Sequence, residues 1–179
     1  MSSNVQTYNL PARVTHWVSA IVIFGLFAVG YWMVDLSYYS EWYRVAPHWH
    51  KSIGILLFFV TLFRIVWKTM TTSPSIEGHK VEVVAAKLAH AAIYCLLFTI
   101  FITGYLISTE DGRGIDVFGF FTVPGMGSFF EGQADLAGLI HRIAAWALII
   151  MSLVHALAAF KHHLITKDNT LNKMIGRIK

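Results

Sequence analysis

The sequence has little charge and almost no cysteine. Only 13% of its 179 residues are charged, half the roughly 25% of an ordinary soluble domain, whereas 56% are hydrophobic and the mean hydropathy is +0.58. So few charged side chains cannot cover a small soluble globule, which excludes a soluble enzyme and a disordered tail. The single cysteine, Cys95, excludes an internal disulfide, a cysteine-ligated cluster and a C-x-x-C-H cofactor attachment site.

Four long apolar runs account for this composition. Each run is about 20 residues long, which is enough for a helix to cross about 30 Å of hydrocarbon. The runs are continuous rather than alternating, and this pattern is typical of membrane-spanning helices and not of barrel strands. The predicted spans cover about residues 14–34, 47–67, 88–109 and 136–160. We therefore predict an all-α integral membrane four-helix bundle, with a single membrane domain over residues 1–179.

The distribution of basic residues predicts the orientation of the bundle. Four spans place both termini on one side, which carries ten of the fourteen Lys and Arg residues and a net charge of +7. The opposite side has a net charge of −3. The positive-inside rule therefore places both termini in the cytoplasm, and the sequence pI near 9.3 indicates membrane topology, not a nucleic-acid partner. On the outer side, residues 117–123 of the longest connection are expected to lie at the membrane interface.

Histidines inside or at the ends of the predicted spans are the candidate functional residues. The chain has nine, and ionisable residues inside spans indicate function by default. His16 enters the first span from the cytoplasmic side, and His50 enters the second from the outer side. His141 opens the fourth span from the outer side, and His155 lies about 21 Å deeper on nearly the same face. Matching depths therefore pair His50 with His141 near the outer face and His16 with His155 near the inner face.

Two imidazoles from facing helices can fill both axial positions of a flat macrocycle. Two such pairs predict two bis-histidine haem b sites in one chain. Small residues one helical turn from each histidine would leave room for the macrocycle: Ala20, Gly54, Gly138 and Ser152. The alternative is that the four histidines only join helices through hydrogen bonds, which contribute about 0.6–2 kcal/mol in bilayers.

Other polar residues near the spans leave alternatives open. His162 lies seven residues past His155 on the same face, so it could replace His155 as a ligand, contact a haem propionate or lie at a solvated helix end. His90 enters the third span at the inner depth, as a ligand or as an interfacial residue. Lys51 and Arg142 each follow an outer histidine, where they would bind propionates or anchor the helices in the interface.

Several short motifs resemble one family over essentially the whole chain. They are His16-Trp17, His50-Lys51-Ser52-Ile53-Gly54-Ile55, Gly104-Tyr105-Leu106, His141 with His155, and His162-His163 followed by Lys167-Asp168-Asn169-Thr170-Leu171. In these motifs the chain resembles the bacterial cytochrome b561 family, four-helix dihaem b proteins of the inner membrane. The resemblance implies haem b at His16/His155 and His50/His141, electron transfer across the membrane and a quinone partner.

The function predicted first is an electron carrier between the quinone pool and an outer-face partner, such as a periplasmic redox protein. One alternative is a superoxide:ubiquinone oxidoreductase, because one member of the resembling family is regarded as such. Another is a membrane anchor subunit of a larger redox complex. The net charge of −3 on the outer side favours a basic protein or a lipid-borne quinone over a small anion.

Overall fold

Four long helices make up most of the protein. The computed structural model describes residues 7–177, and its long helices are α1 (Leu10–Met33), α2 (Trp42–Met70), α3 (Lys80–Thr109) and α4 (Gln133–Lys161). Each is long and apolar enough to cross a membrane, which confirms the four predicted spans. The helices extend past the apolar runs because a helix continues into the polar interface after the hydrocarbon has ended.

The helices pack as two hairpins. α1 lies along α2 and α3 lies along α4, whereas α2 meets α3, and α1 meets α4, only over short stretches. Small polar side chains fill the tightest contacts, among them Ser19, Ser52 and Thr61, which are almost fully buried. The Ser19 and Thr61 hydroxyls donate to carbonyls one turn earlier in their own helices. Many large apolar side chains point outward, as expected for helices that lipid surrounds.

A small β-hairpin interrupts the otherwise helical chain between α3 and α4. Its strands, β1 (Ile115–Val117) and β2 (Phe121–Val123), pair antiparallel through a turn in which Phe118 and Gly119 have positive φ. Ser52 of α2 donates a hydrogen bond to the Asp116 carbonyl at 3.2 Å. The sequence predicted an interfacial segment here but did not predict that it would form two short strands. We call this end of the bundle the hairpin end.

The opposite end of the bundle holds both ends of the described chain. After α4 the backbone widens into a π-helical turn (His162–Thr166) and then forms a short helix, α5 (Thr170–Ile175). The Tyr8 N–H donates to the Lys173 carbonyl at 3.2 Å, and the indole N–H of Trp17 donates to the Met174 carbonyl at 3.3 Å. α5 therefore fastens the last residues to the start of α1. We call this end the terminal end.

A buried lysine joins α5 to the connection between α2 and α3. The Lys173 side chain, which is 10% exposed, pairs with Glu77 at 2.5 Å and donates to the Ser75 carbonyl at 2.9 Å. The backbone N–H of Asn169 donates to the other Glu77 carboxylate oxygen at 3.0 Å. These hydrogen bonds, chiefly that from Lys173, hold the pKa of the Glu77 carboxyl below its ordinary value.

Candidate functional site

Near the hairpin end, α2 and α4 bring two predicted site residues face to face. His50 lies in the third turn of α2, and His141 lies in the third turn of α4. Their ring centroids are 6.3 Å apart. The structure therefore brings together the outer pair that the depths of the two residues predicted.

The hydrogen bonds of His141 indicate which of its two ring nitrogens carries the proton. Its Nδ1 lies 3.1 Å from the Ile100 carbonyl and 3.1 Å from the Thr103 hydroxyl, both on α3. The hydroxyl already donates to the Thr99 carbonyl at 2.7 Å, so it accepts from His141. Nδ1 is then the protonated nitrogen, and Nε2 keeps its lone pair for a metal.

Each outer histidine lies against a glycine on the neighbouring helix of its own hairpin. A Cβ added at Gly30 of α1 would lie 3.0 Å from Cε1 of His50, and one at Gly104 of α3 would lie 3.2 Å from Cε1 of His141. A side chain at either position would displace the imidazole. The sequence reasoning missed Gly30 as part of the site and noted Gly104 only within a motif.

At the terminal end the inner pair has the same spacing. The ring centroids of His16 on α1 and His155 on α4 are 6.2 Å apart. A third ring lies beside them, since His90 on α3 is 5.1 Å from His155 between centroids. The structure thus brings together the predicted inner pair and adds His90 as its neighbour.

A partly buried guanidinium contacts the inner pair. Nη2 of Arg64, on α2, lies 3.3 Å from Nδ1 of His16. A guanidinium only donates, so Nδ1 of His16 is the acceptor in this contact. Neutral His16 then has its proton on Nε2, and binding of a metal at Nε2 would require that proton to leave or to move to Nδ1. The sequence did not predict this contact for Arg64.

The geometry of both pairs fits a haem group between the rings. Metal–imidazole bonds are about 2 Å long, so two rings that bind one ion from opposite sides have centres roughly 6 Å apart. Both observed separations match this value. Added Cβ atoms at Gly54 and Gly138, each one turn from an outer histidine, would meet no atom within 4 Å. The predicted clearance is therefore present beside the outer pair.

His162 has a protein partner of its own. Its Nδ1 lies 2.5 Å from the Asp168 carboxylate, and both side chains are largely buried. Burial raises the pKa of the Asp168 carboxyl, but hydrogen bonds from Thr170 and His162 outweigh burial and hold it below its ordinary value. This contact closes the π-helical turn, a role that the sequence did not predict for His162.

Charged residues surround a cavity of about 230 Å³ at the hairpin end. Lys51 lines it together with Asp111 and Asp116, and the aromatic ring of His48 faces Phe118 of the hairpin beside it. Asp111 is paired with Arg113, which lowers the pKa of this exposed carboxyl. Arg142, the other residue predicted to bind a propionate, is exposed on α4.

Comparison with known proteins identifies the family. The family model described as "Prokaryotic cytochrome b561" matches residues 7–177. The chain belongs to the prokaryotic cytochrome b561 family. It is 45% identical to Cytochrome b561 homolog 2 of Escherichia coli strain K12, over 96% of this chain and 93% of that protein.

Two further relatives of the cytochrome b561 chain have names that indicate function. It is 28% identical to the Probable superoxide oxidase CybB of Yersinia pestis, over 78% of each chain. It is 23% identical to a Probable Ni/Fe-hydrogenase B-type cytochrome subunit of Bradyrhizobium diazoefficiens, over 96% of this chain and 84% of that one. As a member of the cytochrome b561 family, the chain is a multi-pass bacterial membrane protein and a transmembrane haem b electron carrier.

Proposed function

We propose that this cytochrome b561 carries electrons across the inner membrane on two haem b groups, one held by His50 and His141 and the other by His16 and His155. The observation that carries the proposal is the repetition of one geometry, with ring centroids 6.3 Å and 6.2 Å apart at opposite ends of the bundle. If the histidines only joined helices through hydrogen bonds, their rings would not need to have the same separation twice, nor one that fits a shared metal ion.

The histidines also define what the sites can do. Two imidazoles on one iron leave no open position, so haem b bound in this way supplies a one-electron couple suited to outer-sphere transfer rather than oxygen activation. Ile100 and Thr103 hold the His141 ring in the tautomer that a ligand needs. α4 supplies one histidine to each pair, and fourteen residues separate them, about 21 Å along the helix.

The charge distribution supports an orientation and a class of partner. The terminal end carries the excess of Lys and Arg, so we place both termini in the cytoplasm and the hairpin end in the periplasm. The net charge of −3 at the hairpin end would repel small anions. We therefore propose a quinone of the lipid phase and a basic periplasmic redox protein as the electron-transfer partners.

A haem count and spectra of the purified protein test this proposal. We expect two haem b groups per chain, a dithionite-reduced spectrum typical of low-spin haem b, and loss of one group in each of the variants His50→Ala and His16→Ala. A chain with one haem, or one that loses both groups together in each folded variant, would contradict the two-site assignment.

The name of the relative from Yersinia pestis favours a second candidate, oxidation of superoxide with a quinone as acceptor. Rates of haem reduction by superoxide and by a reduced quinone, measured over a range of salt, separate the candidates. Repulsion by the acidic outer face predicts slow reduction by superoxide that quickens as salt rises. Near-diffusion-limited reduction that slows as salt rises would favour the superoxide activity.

The hydrogenase-subunit relative favours a third candidate, in which the chain anchors a larger catalytic protein. Purification in a mild detergent tests this role, because a docked partner would be retained in stoichiometric amount. A stand-alone carrier would instead be recovered by itself with both of its haem groups.

A further inference from the structure

All four long helices repeat one spacing of fourteen residues, about 21 Å along a helix. On each helix this spacing joins a residue near the hairpin end to one near the terminal end. The outer level holds Gly30, His50, Gly104 and His141, and the inner level holds His16, Arg64, His90 and His155. The levels thus contain one residue from each helix, and the outer level has the same pattern in both hairpins.

Contacts within each level follow the hairpins. At the outer level each histidine lies against the glycine of its hairpin partner. At the inner level the α3–α4 hairpin places His90 beside His155, whereas the α1–α2 hairpin places Arg64 beside His16. Arg64 therefore stands where the pattern of the other hairpin has a histidine. At this position the two hairpins differ in charge.

No acidic side chain in the described part of the chain forms a salt bridge with Arg64. Among residues 7–177 it has no salt bridge, and its one side-chain hydrogen bond goes to His16. At the outer pair, the partners of His141 Nδ1 are neutral, the Ile100 carbonyl and the Thr103 hydroxyl, and His50 Nδ1 has no hydrogen-bond partner among the described residues. A cation that is unpaired inside a spanning helix is costly and indicates a function. The inner pair thus has a cation in contact with one of its candidate ligands.

We propose that Arg64 is a positioning residue whose charge raises the reduction potential at the inner pair above that at the outer pair. The inference rests on the proposed function, in which both pairs hold haem b. Reduction removes one positive charge from the iron, so a nearby cation favours the reduced form. With haem b held at both pairs, this difference would favour the transfer of one electron from the outer iron, which would be oxidised, to the inner iron, which would be reduced, with no bond made or broken.

The test is a redox titration of the haem-loaded protein, followed by visible absorbance and fitted with two components. The component that is lost in His141→Ala identifies the outer site. In Arg64→Gln we expect only the inner component to shift, and to shift to lower potential. The shift should be large enough to change the distribution of electrons between the two sites at least tenfold. That change is about 59 mV for a one-electron couple.

Two further variants make the test specific. Arg64→Lys keeps the positive charge. The distribution of electrons between the two sites should therefore stay within twofold of that in the wild-type protein. Lys68 is an exposed cation one turn further along α2 and lines a small cavity together with Arg64. Lys68→Gln should change the distribution of electrons between the sites less than twofold. An equal shift in Lys68→Gln and Arg64→Gln would refute a specific role for Arg64.

Several other outcomes would overturn the inference. These are unchanged potentials in Arg64→Gln, an equal shift of both components, and a loss of the inner haem, which would show that Arg64 builds the site rather than sets its potential. A wild-type chain that binds fewer than two haem groups would instead refute the proposed function, and this inference with it.

Discussion

Replacement of Gly30 by alanine tests how closely the outer site depends on its neighbouring helix. The added Cβ would lie 3.0 Å from Cε1 of His50 and 3.5 Å from Nδ1. Carbon atoms in good contact are about 3.5–4.0 Å apart, so the imidazole must move by roughly half an ångström. The ring cannot do so without changing its position relative to His141.

The free energy of the change has two opposing parts. Overpacking of this size costs about 1–3 kcal/mol, and the higher helix propensity of alanine returns about 1 kcal/mol. We therefore expect a net loss of unfolding free energy of about 1 kcal/mol, small enough that the protein still folds. The outer haem site should be affected more than the fold is.

Gly25→Ala provides the matched control on the same helix, because a Cβ at Gly25 would meet no atom within 4 Å. We expect Gly30→Ala to alter the spectrum or occupancy of the outer haem and to leave the inner one unchanged. Gly25→Ala should change neither. If the two variants have the same haem content, spectrum and thermal stability, the close contact between Gly30 and His50 has no effect on the site.

Three further predictions follow from the ligand pairs and the terminal end. His141→Ala should remove the outer haem and leave the inner haem in place, as measured by haem content and reduced spectrum; loss of both would refute separate sites. His155→Ala should abolish the inner haem, whereas His162→Ala should keep it with at most a changed potential; the reverse result would make His162 the ligand. Because Glu77 has a lowered pKa in the folded protein, its pairing with Lys173 stabilises the terminal end above about pH 4.5 and is lost as the pH falls through the folded pKa. The protection of the α5 amides from hydrogen exchange, relative to the intrinsic rate at each pH, should fall over that range, and Glu77→Gln should remove this pH dependence.

The sequence predicted the spans and both histidine pairs for identifiable physical reasons. Lipid requires continuous apolar helices, so their number and rough limits are visible in composition alone. A spacing of fourteen residues returns a helix to nearly the same face, so His141 and His155 could be placed on one side of α4. Depth from the apolar boundary then selected His50 and His16 as their partners.

What the sequence did not predict depends on contacts between distant parts of the chain. Strands of three residues have too short a pattern to detect, and β1 is held by Ser52, more than sixty residues away. The pairing of Lys173 with Glu77 joins segments that have no common periodicity. The contact between Arg64 and His16 depends on how α1 and α2 are rotated against each other, which single helices do not reveal.

The role of α4 in both pairs has a consequence for how the protein is made. Chains emerge from the ribosome at about 5–20 residues per second, N-terminus first. His16 and His50 are therefore in the membrane well before His141 and His155 are synthesised, and until then each has no opposing ring. Under the proposed ligation, both haem groups would be bound only after the last span has entered the membrane, so a chain released before α4 would bind neither group and could not accept electrons.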